Sequence, residues 1–182
     1  MWHRAAGPTL TATDSVWERH MQVNPFKSRE STTVTATATT KSAFFDASKL
    51  PWVDWVMPGT RFKLLNVNPI TGGFTMLLKV EASNEAPVHG HLGAVEGIIL
   101  EGGFSYDEDH GYTGNYVYEG AGIRHEPNTH AGGLVMFAVV HGPLCGYNDD
   151  GSVAGIVDAR KMYDMAVAAG AADHIEKPAH WE

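Results

Sequence analysis

The sequence predicts an all-β chain, an antiparallel barrel or jelly roll closed by one C-terminal helix. Three observations carry this prediction. Apolar and polar residues alternate in short runs from residue 61 onward. Glycine-rich turns separate the runs, in a chain with 20 glycines and 9 prolines. No stretch of helical period interrupts them before residue 159.

Taken in order, residues 1–42 read as an N-terminal arm anchored by Trp17 and Phe26. Within it, residues 31–40 are mostly threonine and alanine, which fits either a disordered linker or an extended strand pairing with a sheet edge, including that of a second subunit. Residues 43–157 form the expected barrel, and 158–182 the helix and tail. Trp52 and Trp55 bracket a segment ending in the turn signal Pro58-Gly59. Strands are then expected over 61–67, 74–81, 88–91, 95–100, 104–106, 115–118, 123–126 and 134–141, with turn chemistry between them. The helix is expected over 159–172, with Asp158 as N-cap.

Composition narrows the function. With 182 residues, 43% hydrophobic and 19% charged, the chain has enough apolar material for one core. A formal net charge of -8 excludes a nucleic-acid partner, which needs a basic face. Lysine and arginine are scattered, so an anionic membrane is no better a partner. The longest apolar run, 134–140, is too short to span a bilayer. The start, Met1-Trp2-His3-Arg4, has no apolar core of a signal peptide, and Cys145 is the single cysteine. These features lead to the expectation of a cytoplasmic protein.

The chemistry concentrates in histidine. In a strand, residues i and i+2 face one side, so His89 and His91 aim both imidazoles at one interior point. Glu96 lies at odd spacing and points away unless Leu92-Gly93-Ala94 turns the chain and brings it in from the next strand. His125 follows a second glycine-rich turn. Three imidazoles, with or without a carboxylate, suit Fe(II), Mn(II), Ni(II) or Zn(II), and an open coordination position makes such a site catalytic.

The spacing resembles the two motifs of the cupin superfamily. The first is His89-x-His91, four residues, Glu96, six residues, Gly103; the second is Gly114, five residues, Gly120-Ala121-Gly122, two residues, His125. Ser83, Gly120 and Thr129 depart from the usual glycine, proline and asparagine, positions that shape turns rather than supply ligands. Residues 51–168 further resemble the acetylacetone-cleaving dioxygenases and their relatives acting on 2,4'-dihydroxyacetophenone. That likeness rests on the tract 89–106, on Tyr118-Glu119 six residues before His125, and on the segments His141-Gly142-Pro143-Leu144 and Asp150-Gly151-Ser152-Val153-Ala154.

The resemblance implies a non-haem Fe(II) site held by His89, His91 and His125. Glu96 would then be a fourth, weaker ligand or a hydrogen-bonding neighbour, and Glu119 the carboxylate that orients the ligand imidazoles. It implies a small carbonyl substrate, a β-diketone or hydroxyketone bound as its enolate, cleaved with dioxygen, and a homo-oligomer. Two alternatives remain: a cupin lyase or isomerase that does not use oxygen, and a non-catalytic zinc-binding module like those of some anti-sigma factors. Phe137, on the same strand as Met136, is a candidate pocket wall, and Tyr106 and Tyr118 either contact substrate or cover the barrel. His110 and His130 read as loop residues, Arg124 as a surface residue and Cys145 as a buried small hydrophobe.

Overall fold

The computed structural model describes residues 44–181, so the expectations for the N-terminal arm lie outside the described residues. Among the described residues, a 3-10 turn (Ala47–Lys49), eleven strands and one α-helix follow in order. They are β1 (Val53–Asp54), β2 (Thr60–Asn68), β3 (Gly73–Val80), β4 (His89–His91), β5 (Val95–Tyr106) and β6 (Asp109–Tyr112). Then come β7 (Tyr116–Glu119), β8 (Arg124–His125), β9 (Asn128–Val140), β10 (Leu144–Tyr147), β11 (Val153–Val157) and helix α1 (Ala159–Ala168). The all-β expectation is met, with every strand pair antiparallel.

The strands form two sheets. The larger runs β1-β2-β3-β9-β5-β6, with β7 also on β5; the smaller runs β11-β10-β4-β8. Alternation decides which side chains enter the space they enclose. On β9, Leu134, Met136, Ala138 and Val140 are buried; on β2 and β3, Phe62, Leu64, Phe74 and Met76 join them. The intervening residues of β9, among them Phe137, face outward, which corrects the expectation that Phe137 lines the pocket.

Some elements differ from the sequence reading. The two strands expected at 95–100 and 104–106 are one, because Gly102 (φ 70°) and two register shifts bend β5 without ending it. Residues 109–112 pair with β5 as β6, so His110, read as a loop residue, lies on a strand. Helix α1 has Asp158 as its N-cap, accepting from the Lys161 amide, but it ends at Ala168. There Gly170 (φ 63°) permits a Schellman turn, with Gly170 N bonded to Val167 O and Ala171 N to Ala166 O. Ser83, where the motif usually has glycine, adopts φ 54°, the left-handed conformation that glycine favours.

Candidate metal centre

The site sits where the smaller sheet faces the barrel interior. His89 and His91 share one face of β4, and β8 places His125 directly opposite His89. Gly90, between the two histidines on the other face, is held to glycine by packing: a Cβ there would lie 2.7 Å from the Tyr147 hydroxyl. Arg124, the register partner of Gly90, lays its guanidinium 4.0 Å from the Tyr147 ring centre, which leaves it outside the site.

The three imidazoles converge by their Nε2 atoms. His125 Nε2 lies 3.0 Å from His89 Nε2 and 3.1 Å from His91 Nε2. His89 Nδ1 is 3.0 Å from the Pro87 carbonyl and donates to it, so its Nε2 carries a lone pair. Burial depresses all three histidines; it brings His91 to about 3 and His125 to about 4, with the neighbouring imidazoles adding to both. Without an ion such contacts are N–H···N hydrogen bonds donated by one neutral tautomer; with all three Nε2 atoms as lone-pair donors, the same arrangement can face one cation. The spacing also matches the edge of about 3 Å between cis ligands each ~2.1 Å from one ion. The donor set fits a divalent transition metal.

Glu119, the last residue of β7, stands beside the cluster. It is 7% exposed, and burial pushes its carboxyl up to about 7. Oε1 accepts a hydrogen bond from the Tyr106 hydroxyl, and the Tyr106 ring stacks on His125 at 4.7 Å. Oε2 lies 3.4 Å from His91 Nδ1, but the pair is not aligned for a hydrogen bond, so that buried nitrogen lacks a formed partner. A small shift of the carboxylate would close the contact.

Next to these groups is a cavity of about 80 Å³. Its walls are largely apolar, among them Met76, Leu78, Phe104, Leu134, Met136 and Leu144. The sequence reading did not single out Phe104; its parity with Tyr106 across the bend of β5 was the available signal. Met136, not Phe137, is the inward residue of β9.

Two other expected site residues are placed elsewhere. Glu96 lies on the outer face of β5, because residues 92–94 carry the chain from the smaller sheet to the larger but leave Val95, not Glu96, facing the cavity. There its carboxylate accepts from the Tyr116 hydroxyl at 2.7 Å and from His141 Nε2 at 2.8 Å, bonds that hold it below the usual carboxylate range. It therefore does not join the three imidazoles. Tyr118, its neighbour on β7, is 64% exposed and does not line the cavity. Cys145 is buried, as expected, and His110 and His130 lie near each other, ring centres 5.9 Å apart, on β6 and β9.

A double-stranded jelly roll with a three-histidine cluster inside it defines the metal-binding cupin class. The chain belongs to the family of ChrR cupin-like domains, which it matches over residues 40–145. Solved structures share the fold. An RmlC-like cupin protein from Ralstonia eutropha is 24% identical, with a TM-score of 0.67 over 78% of this chain and 94% of that one. An acetylacetone dioxygenase from Acinetobacter johnsonii is 19% identical, with a TM-score of 0.66 over 72% of this chain and 95% of that one. No curated protein matches. Among the described residues, no helix is long and apolar enough to cross a membrane.

Proposed function

We propose that the protein is a non-haem Fe(II) dioxygenase that cleaves a carbon–carbon bond of a β-diketone or hydroxyketone bound as its enolate. The observation that carries the reading is the convergence of three neutral Nε2 atoms beside a small apolar cavity, with a protonatable carboxyl next to them. The fold shared with an acetylacetone dioxygenase supports it.

His89, His91 and His125 would each supply one nitrogen to the ion. A ferrous ion held there would supply Lewis acidity toward an enolate and one-electron chemistry with dioxygen. The protein's own groups then have distinct tasks. His89 is fixed in its tautomer by Pro87, which keeps Nε2 available. Tyr106 packs on His125 and anchors Glu119 through Oε1, which leaves Oε2 turned toward His91. With its carboxyl near 7, Glu119 can hold at Oε2 the proton lost from the carbon acid at neutral pH. The methionines, leucines and Phe104 exclude water and accommodate the apolar arms of the substrate.

The test is metal analysis of protein made without added metal, followed by oxygen uptake with β-diketones and aryl hydroxyketones. Stoichiometric iron with substrate-dependent oxygen consumption is the expected result. Turnover unchanged under anaerobic conditions would point to the lyase or isomerase. Stoichiometric zinc without turnover would point to a non-catalytic module.

A further inference from the structure

The cavity beside the imidazoles measures about 80 Å³, well below the roughly 300–1,000 Å³ of ordinary ligand sites. It can hold the reacting end of a molecule and little more. A second space of about 470 Å³ adjoins it. The two share Trp55, Met57, His89 and Leu144 as walls, so the larger one begins at His89 and runs outward along the smaller sheet.

The sheet register explains its floor. His125, His89, Gly146 and Gly155 pair in one row across β8, β4, β10 and β11. Paired residues point to the same face of a sheet, so this row presents two imidazoles and then two bare stretches of backbone. A Cβ at Gly146 would come no nearer to its surroundings than 3.9 Å, from the Gly155 carbonyl, and one at Gly155 would meet nothing within 4 Å. Neither glycine has a positive φ. Packing and conformation therefore leave both free to be larger residues, unlike Gly90. Glycine weakens a strand and often marks where a ligand approaches the backbone closely. Here any side chain in place of the two glycines would project into the groove.

The inner end of the groove is His89, so its occupant is a molecule with one end at the three imidazoles. Gly155 lies two strand spacings from His89, ~10 Å, which is the reach of one substituted aromatic ring. Charge narrows the choice further. Lys161 is the one charged side chain among the lining residues other than His89. Among the described residues no carboxylate forms an ion pair with its ammonium, and the Asp158 carboxylate is engaged with the Lys161 backbone amide. In a chain of net charge -8, the groove is thus marked by a positive group.

We propose that the groove holds the distal arm of the substrate, an aryl group lying over Gly146 and Gly155 and ending in a carboxylate or similar anion directed to Lys161. This rests on the proposed function, which places the carbonyl end at the histidines.

The test is equilibrium binding by isothermal titration calorimetry on the full chain loaded with zinc, which requires no turnover. The ligands are acetylacetone, benzoylacetone and benzoylacetone carrying a para carboxylate. The native chain should bind the carboxylate about fivefold more tightly than benzoylacetone, the scale of one solvent-facing ion pair, and high salt should remove the difference. Lys161→Glu should reverse the preference and leave benzoylacetone unchanged. Gly155→Leu should weaken both aryl ligands about tenfold or more, as one or two misplaced methylenes do in a pocket, and leave acetylacetone unchanged, which loss of folding would not do. Equal binding of the two aryl ligands to the native chain, or a preference indifferent to Lys161→Glu, overturns the anionic arm. Native affinity of Gly155→Leu for both aryl ligands overturns the groove as their site. The proposed function fails separately. These affinities without oxygen uptake would keep the groove and remove the dioxygenase, whereas uptake with acetylacetone and none of these affinities would do the reverse. Binding of none of the three ligands would overturn both.

Discussion

At the scale of single residues, the proposed function gives the three imidazole nitrogens the task of holding an ion and the Glu119 oxygens that of handling a proton. Glu119→Gln keeps the size of the side chain and the bond from Tyr106 but cannot take up a proton. It should retain stoichiometric metal while lowering kcat by about 10–100-fold, the usual scale for a group that works beside the ligands. Metal analysis and steady-state oxygen uptake on the same preparation check this. Tyr106→Phe leaves the ring on His125 and removes the hydroxyl bonded to Glu119. It should likewise keep the metal, with a loss no greater than that of Glu119→Gln, because it acts through that carboxylate. The convergence of the three histidines was legible in the sequence because a two-residue spacing on a strand fixes a common face for His89 and His91, and the second motif supplied His125. Glu96 was ambiguous because spacing alone could not say whether Leu92-Gly93-Ala94 reverses the parity of the chain, and the structure shows that it does not. Phe137 was misassigned by one position, the smallest possible error on a strand and one that transfers a side chain from core to surface.

At the scale of elements, the strands that carry the three histidines, β4 and β8, depend on close packing behind them. Gly90→Ala would put a Cβ against Tyr147 and 3.3 Å from the Ile123 carbonyl, displacing β4 from β8. The change should destabilise the protein by about 1–3 kcal/mol, as overpacking typically does, and lower metal affinity. Tyr147→Leu in the same chain should recover part of the stability, measured by urea denaturation. Helix α1 is a simpler case. Asp158→Ala removes the cap on the Lys161 amide and should cost about 1 kcal/mol without touching the metal. Most strands were readable because apolar residues alternate within them. β1, β6, β10 and β11 were not, for a physical reason: strands of two to five residues carry too little alternation to read, and only the pairing partner makes them strands.

At the scale of the whole molecule, the fold places buried imidazoles in a protein whose stability they link to pH. Burial depresses His91 and His125 to about 3 and 4, whereas an unfolded chain titrates near ~6.5. The unfolded state therefore takes up protons that the folded state refuses. Their contribution to stability is present above about pH 6.5 and is lost as pH falls toward 4. Glu119, raised to about 7, works in the opposite sense: its contribution is present below about 4.5 and fades as pH rises through 7. The histidines outnumber it. The metal-free protein should unfold at lower urea concentration at pH 5 than at pH 6.5, and His91→Gln should reduce that difference. A midpoint that rises on acidification would contradict this balance. The architecture itself was legible from turn chemistry and alternation, but the separation of its strands into two sheets depends on long-range pairing that no local pattern encodes.

The central claim is that His89, His91 and His125 together form one metal site. It is tested most directly by titrating the metal-free protein with Co(II), followed by its visible absorption, in the native chain and in His125→Ala. The account predicts saturation at one equivalent per chain in the native protein and a loss of affinity above ~100-fold in the variant, more than an outer hydrogen-bonding residue usually costs. A His125→Ala protein that binds one equivalent with unchanged affinity and spectrum would contradict it.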